Sequence, residues 1–75
     1  MKPYRDVDGD SGVAAYEDGA GYIRVQFKDG AVYEYTDASA GAANIAEMKR
    51  LATSGDSLNA FINRHVRKLY SQRVR

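Results

Sequence analysis

Two short segments in the first half of the chain alternate between apolar and polar residues. In the segment YIRVQF (residues 22–27), the apolar side chains of Ile23, Val25 and Phe27 share one face. In AVYEY (residues 31–35), Tyr33 and Tyr35 share one face. A two-residue period is typical of β-strands with one buried face. Asp29-Gly30 lies between the segments and favours a two-residue hairpin turn, so the two strands are predicted to pair.

A shorter apolar run at residues 13–16 predicts an earlier strand, joined to the next by the glycine-rich residues 17–21. The three strands together predict a three-stranded antiparallel meander. Residues 1–11 are polar, with one proline and three aspartates, and are predicted to form a flexible acidic N-terminal arm. Residues 12–75 are predicted to form a single domain.

The hydrophobic period changes after Thr36 and indicates two helices. Asp37 or Ser39 is predicted to cap a first helix that ends near Thr53. The second is predicted from Leu58 to about Tyr70. Its apolar stripe consists of Leu58, Phe61, Ile62, His65, Val66 and Leu69. The order β-β-β-α-α predicts an α+β fold with both helices packed on one face of the sheet.

Composition narrows the classes of protein to consider. The 75 residues include no cysteine, which excludes disulfides and thiolate chemistry and fits a reducing compartment. No apolar run approaches the ~20 residues of a membrane span, and none follows Met1 as in a signal peptide. We therefore expect a soluble, cytoplasmic, monomeric protein that does not contact membranes.

Charge is distributed unevenly along the chain. Residues 1–48 carry four cations and nine anions, a net charge of −5, whereas residues 49–75 carry seven cations and one anion, a net charge of +6. The overall charge of +1 conceals this dipole. The basic end is the feature most relevant to a partner.

Catalytic and metal-binding patterns are poorly represented. DVDGDSGVAAYE (Asp6–Glu17) has aspartates at positions one, three and five of a calcium loop, but its sixth position is not glycine and no helix can precede it. A flexible acidic arm is the favoured interpretation, and weak calcium binding by the isolated loop is the alternative. His65 is the sole histidine, so it has no second imidazole to share a metal and is predicted to pack against the core. We expect no enzymatic activity, no metal and no cofactor.

Six tyrosines and five C-terminal cations indicate a binding function. Exposed tyrosines on a sheet stack bases in RNA-binding modules, although Tyr33 and Tyr35 are predicted to belong to the core, leaving Tyr22 as the better exposed ring. The basic C-terminus suits phosphate binding, and a solvated helix face is the alternative. Candidate nucleic-acid-binding residues are Asn63, Arg64, Arg67, Lys68, Tyr70 and Arg73.

The order of several short motifs resembles the KTSC domain family. The first half contributes Ile23-Arg24-Val25-Gln26-Phe27, Asp29-Gly30 and Tyr33-Glu34-Tyr35. The second half contributes Phe61-Ile62-Asn63, Val66-Arg67, Tyr70 and Arg73-Val74. The similarity covers residues 13 to 74. Ile62 replaces the second ring of an aromatic pair common in that family, and Ser71 replaces a proline.

The resemblance to this family implies a function in nucleic-acid binding. KTSC domains occur alone in bacteria and phages and at the C-terminus of some lysyl-tRNA synthetases, and RNA binding has been suggested for them. The leading hypothesis is a non-enzymatic domain that binds RNA or single-stranded nucleic acid through its basic C-terminal helix. The competing hypothesis is a protein-interaction module of a larger bacterial or phage assembly, recruited through an acidic protein partner. Within the family pattern, Asn63, Arg67, Tyr70 and Arg73 act either as ligand contacts or as a bracket that ties the last helix to the tail.

Overall fold

A five-stranded antiparallel sheet forms one layer of the fold. The computed structural model describes residues 1–5 and 12–75. Within these residues, the strands lie side by side in chain order: β1 (Lys2–Pro3), β2 (Val13–Gly19), β3 (Tyr22–Phe27), β4 (Val32–Thr36) and β5 (Gln72–Arg73). The predicted meander corresponds to β2, β3 and β4. The α+β class is confirmed, and the predicted count of three strands is corrected by one short strand at each edge.

The first five residues belong to the fold and not to a loose arm. Lys2 and Pro3 pair with Tyr16 and Ala15 of β2. Tyr4 is 7% exposed, and its hydroxyl oxygen accepts a hydrogen bond from the Leu58 N–H at 3.2 Å. The prediction of an arm over residues 1–11 is therefore wrong for residues 2–4. Residues 6–11, and with them the first half of the candidate calcium loop, lie outside the described residues.

The two hairpins have different turns from those predicted. Gly19 and Tyr22 pair directly, so the two-residue turn is Ala20-Gly21. At the β3–β4 connection, the Phe27 N–H donates to the Ala31 carbonyl at 2.8 Å and the Gly30 N–H donates to the Phe27 carbonyl at 2.9 Å. This connection is a three-residue loop whose last residue, Gly30, has a φ of 94°. The predicted two-residue turn at Asp29-Gly30 is wrong by one residue.

The helical layer begins with two helices where one was predicted. Helix α1 spans Asp37–Ala40 and α2 spans Ala42–Ser54, separated by Gly41. The N-cap is Thr36, whose Oγ1 accepts from the Ser39 N–H at 3.1 Å while the Ser39 Oγ accepts from the Thr36 N–H at 3.0 Å. Because this reciprocal pair satisfies two backbone donors, the helix begins one residue after the strand ends.

The last helix combines an α-helical and a π-helical segment. Helix α3 spans Leu58–Phe61, and a π turn follows at Ile62–Val66. An α-helical turn takes about 3.6 residues, so a four-residue repeat drifts around the helix. A π turn is closed by i→i+5 bonds and takes more residues, which brings Val66 back into line with Leu58 and Ile62. These three side chains are buried together.

The chain leaves the helix earlier than predicted, which corrects the helix end at Tyr70. Leu69 is 42% exposed, and His65 is exposed, with its ring 4.7 Å from that of Phe61. Both were predicted on the buried stripe. The reason is tertiary: the tail turns back to the sheet, and the Ser71 N–H donates to the Glu34 carbonyl of β4 at 2.6 Å.

The core lies between the sheet and the helical layer. Its fully buried side chains of largest volume are Tyr35, Ile23, Ile45, Met48, Leu58, Val13, Val25 and Val66. The predicted apolar positions of the first helix, residues 45, 48, 51 and 52, are all buried. No helix in the described part of the chain combines the length and apolar character needed to cross a bilayer.

Candidate nucleic-acid interface

A cleft of about 580 Å³ opens between the β3–β4 loop and the π turn. Its volume falls within the range of small-molecule sites, about 300 to 1,000 Å³. Aromatic residues of β3, β4 and the tail form one part of its lining, the loop forms a second and the π turn forms a third. We call this feature the aromatic cleft.

The aromatic part of the cleft consists of Phe27, Tyr33, Tyr35 and Tyr70. The rings of Tyr33 and Phe27 meet edge to face at 5.9 Å, and those of Tyr33 and Tyr70 lie 4.8 Å apart at 56°. Tyr70 also meets Tyr35 edge to face at 6.5 Å. Offset and tilted contacts of this kind stabilise ring clusters. One ring of the cluster, Tyr70, is 42% exposed and presents a stacking surface to solvent.

Burial separates the two strand tyrosines. Tyr35 is 2% exposed, which confirms the predicted core position, whereas Tyr33 is half-buried and only packs against the core. Burial, with a smaller contribution from the neighbouring phenols of Tyr33 and Tyr70, raises the pKa of the Tyr35 phenol to about 12. Tyr35 therefore lines the cleft as a buried, neutral phenol at physiological pH.

The π turn contributes Ile62 and Asn63 to the cleft, and Arg67, the residue after the turn, also lines it. Ile62 is buried and anchors the turn, while Asn63 and Arg67 are exposed. Neither side chain forms a hydrogen bond or an ion pair with any other described residue. Arg67 is thus not held against a carboxylate, as an architectural arginine would be. π turns are frequent at functional sites.

The candidate residues identified from sequence separate into three groups. Asn63, Arg67 and Tyr70 line the cleft together. Arg73 lies beside it in β5, with its guanidinium 5.6 Å from the centre of the Tyr33 ring and its Nε donating to the Arg75 carbonyl at 3.0 Å. The remaining two, Arg64 and Lys68, are exposed and lie outside the lining.

Side-chain hydrogen bonds that join the tail to the sheet converge on Glu34, which was not among the candidate residues. Glu34 Oε2 accepts hydrogen bonds from Ser71 Oγ at 3.0 Å and from Gln72 Nε2 at 3.1 Å. Glu34 Oε1 accepts from Arg24 Nε at 2.9 Å, and Arg24 also lies 3.5 Å from Glu17. The Arg24 hydrogen bond, aided by those from Ser71 and Gln72, holds the pKa of the Glu34 carboxyl below its usual range. We call Glu34, Ser71 and Gln72 the tail clasp.

No sequence pattern indicated the loop side of the cleft or the tail clasp. Lys28 and Asp29 belong to the lining, and Asp29 Oδ1 accepts from the Ala31 N–H at 3.0 Å. In the sequence these residues are typical of a hairpin turn. That structural role explains why an aspartate occurs at position 29, so nothing there indicated a ligand. The clasp joins Glu34 to residues far along the chain, so no local pattern marks it.

Tyr22, the predicted exposed ring, is half-buried on the sheet face opposite the helices. The Arg24 guanidinium lies 5.5 Å from its ring centre. Tyr22 is therefore not part of the aromatic cleft. No three acidic, histidine or cysteine side chains cluster as metal ligands within residues 1–5 and 12–75.

No protein-family model, curated protein or solved structure matches this chain in sequence or structure comparisons. The resemblance to the KTSC family remains a prediction from its motifs. Inference about function therefore depends on the geometry of the aromatic cleft and of the cations around it.

Proposed function

We propose that this protein is a non-enzymatic domain that binds RNA, or another single-stranded nucleic acid, at the aromatic cleft. The observation that carries the proposal is the juxtaposition of the exposed Tyr70 ring, packed on Tyr33, with the exposed and unpaired Arg67. Proteins that bind single strands combine rings on which bases stack with cations that follow the backbone. Both elements occur here within one cleft.

The charge around the cleft favours an anionic aromatic ligand over a cationic one. A cluster of aromatic rings can also bind a quaternary ammonium group through cation–π contacts. Arg67 in the lining, with Arg73 above the Tyr33 ring, opposes such a ligand, and these two cations outnumber the single carboxylate among the described lining residues, Asp29. A nucleotide satisfies both requirements because its base stacks and its phosphate is negative.

The two cations outside the cleft would bind phosphates of the nucleic-acid backbone on either side of the bound base. Arg64 and Lys68 are exposed on the same turn of chain that carries Asn63 and Arg67. A base in the cleft would place its flanking phosphates near this turn and near Arg73. The open single-stranded form is favoured because bases paired within a duplex are not free to enter a cleft.

Titration of a fluorescent single-stranded RNA at several salt concentrations tests the proposal. If about four phosphates are engaged, log affinity falls against log salt with a slope of about −3. A folded R67A/K68A variant should bind more weakly with a shallower slope. K2A/R50A removes the same charge from two residues outside the cleft lining and is the matched control.

Failure of any RNA or DNA strand to bind at low salt, or a slope near zero, would contradict the proposal. A pull-down with nuclease treatment distinguishes nucleic-acid binding from binding to a protein partner. A defined partner that stays bound after digestion would support the protein-interaction module inferred as the alternative from sequence.

A further inference from the structure

Two oppositely charged side chains line the aromatic cleft without pairing to each other. Asp29 belongs to the β3–β4 loop and Arg67 follows the π turn. No ion pair joins them, and Arg67 has no hydrogen-bond partner among the other described residues. Asp29 is oriented by the hydrogen bond that its Oδ1 accepts from the Ala31 N–H at 3.0 Å. A carboxylate acceptor and a guanidinium donor are therefore both available to a ligand.

Guanine is the base whose edges complement both groups. Its N1–H and N2–H₂ are adjacent donors, which a carboxylate accepts, and its O6 and N7 are adjacent acceptors, which an arginine binds through two parallel hydrogen bonds. Adenine presents an amino donor beside N7, which opposes a guanidinium. The N3–H donor of uracil lies between two carbonyl acceptors, and the amino donor of cytosine lies beside the acceptor N3. A carboxylate that binds either donor therefore also faces an acceptor, which it does not match.

We propose that the aromatic cleft selects a guanine base, with Asp29 accepting from its Watson–Crick edge and Arg67 donating to its O6 and N7. This inference rests on the proposed function. The Tyr70 ring then supplies the stacking surface, which is tolerant of base identity. Asn63 carries both a donor and an acceptor, so it complements whichever edge atom lies nearest. In this arrangement Arg67 contacts the base, and Arg64, Lys68 and Arg73, all outside the lining, remain contacts to phosphate.

The division of roles gives a direct test with short RNAs. Fluorescent uridine pentamers with a central G, A, C or U are titrated at fixed salt. We expect the G-containing strand to bind roughly tenfold more tightly than the others. D29N and R67A should each reduce this preference to near unity, and D29N retains the side-chain oxygen that the Ala31 N–H requires.

The matched control is K68A, which removes a cation outside the cleft. It should weaken all four strands by a similar factor and reduce the magnitude of the salt slope by about 0.7, while leaving the preference for G unchanged. Thermal melting of each variant identifies those that remain folded. D29N provides a second route if R67A fails to fold.

The outcomes separate the inference from the proposed function. Equal, salt-dependent binding of all four strands would retain single-strand binding and overturn guanine selection. Preference for another base, or a preference for G that survives both D29N and R67A, would also overturn it. Absence of binding by every strand would overturn the proposed function itself, and the inference with it.

Discussion

The rings of Tyr33 and Tyr70 lie 4.8 Å apart, with their planes inclined by 56°. Tyr33 belongs to the central region of the sheet, whereas Tyr70 lies in the segment between the π turn and β5. The contact exists because the tail folds back along β4, where Arg73 pairs with Tyr33. The exposed stacking surface of the cleft is thus produced by packing between distant parts of the chain.

Replacing Tyr70 should weaken binding more than stability. We expect Y70A to reduce affinity for single-stranded RNA about tenfold, because one stacked base contributes about 1–3 kcal/mol, and Y70F to retain near-normal affinity. Fluorescence anisotropy measures the change. L69A is the matched control, because Leu69 has the same 42% exposure and lies outside the cleft. Equal affinities for Y70A and the unmodified protein would exclude stacking on this ring.

Removing the carboxylate of the tail clasp should release the C-terminal strand. E34A deletes the acceptor for Ser71, Gln72 and Arg24, and we expect it to lower the free energy of unfolding by about 1–3 kcal/mol. The Val74 amide, which donates to the Val32 carbonyl at 2.7 Å, should exchange with solvent faster. Urea unfolding and hydrogen exchange measure the two effects.

Glu17 offers a control for the tail clasp. Its carboxylate also lies near the Arg24 guanidinium, at 3.5 Å, but among the described residues it forms no hydrogen bond or ion pair with the tail. We expect E17A to change stability by less than about 0.5 kcal/mol, because exposed ion pairs contribute little. Similar effects of E17A and E34A on Val74 exchange would show that Arg24 alone, and not the clasp, holds the tail.

Stability should fall at alkaline pH because of Tyr35. Its pKa is raised to about 12 in the folded protein by burial, whereas an unfolded tyrosine titrates near 10. Above pH 10 the unfolded state therefore loses its proton first and is favoured. This contribution is complete below pH 10 and is lost as pH rises to about 12, amounting to about 2–3 kcal/mol.

Urea unfolding of the protein and of Y35F, at several values between pH 8 and pH 12, measures this effect. Tyr35→Phe removes the titrating phenol while preserving the ring in the core. The difference in unfolding free energy between the two proteins should shift by the stated amount across this range. A constant difference would show that the folded phenol ionises at its ordinary pH.

The capping pair at the start of α1 should contribute measurably to stability. We expect T36A to lower the free energy of unfolding by about 1 kcal/mol, because it leaves the Ser39 N–H without its acceptor. Thr53 is the control, since it is exposed and its Oγ1 donates only to the Lys49 carbonyl within α2. Thermal or urea unfolding compares T36A with T53A. Equal losses for the two variants would assign the effect to threonine replacement in general.

Sequence periodicity predicted the central strands and the buried face of α2 correctly. Ile23 and Val25 alternate with polar residues and are buried, and Ile45 and Met48 recur at helical spacing and are buried. Such patterns are local, since each residue's burial follows from its position on one element. Periodicity wrongly predicted that Leu69 is buried, because the helical spacing of apolar residues continues beyond the residue at which the chain leaves the helix.

The candidate site was predicted only in part. A basic helix face and a family-like pattern indicated Asn63, Arg67 and Tyr70, and these three line one cleft. Arg64 and Lys68 carry the same charge in the same segment and lie outside it. A list of cations cannot separate these two groups, because the π turn changes the direction in which successive side chains leave the helix.

The amino-acid sequence by itself determined the central meander followed by helices, the apolar faces that form most of the core and the basic character of the last segment. Only the tertiary structure decided the edge strands, the tail clasp and the aromatic cleft. The physical reason is that β1 and β5 are held by backbone hydrogen bonds to β2 and β4, which any residue except proline can donate. Glu34 likewise reaches Ser71 only after the chain returns, and Tyr70 joins Tyr33 by the same return. Contacts between residues distant in the chain depend on how the elements pack, and the periodicity of apolar residues along the sequence does not predict them.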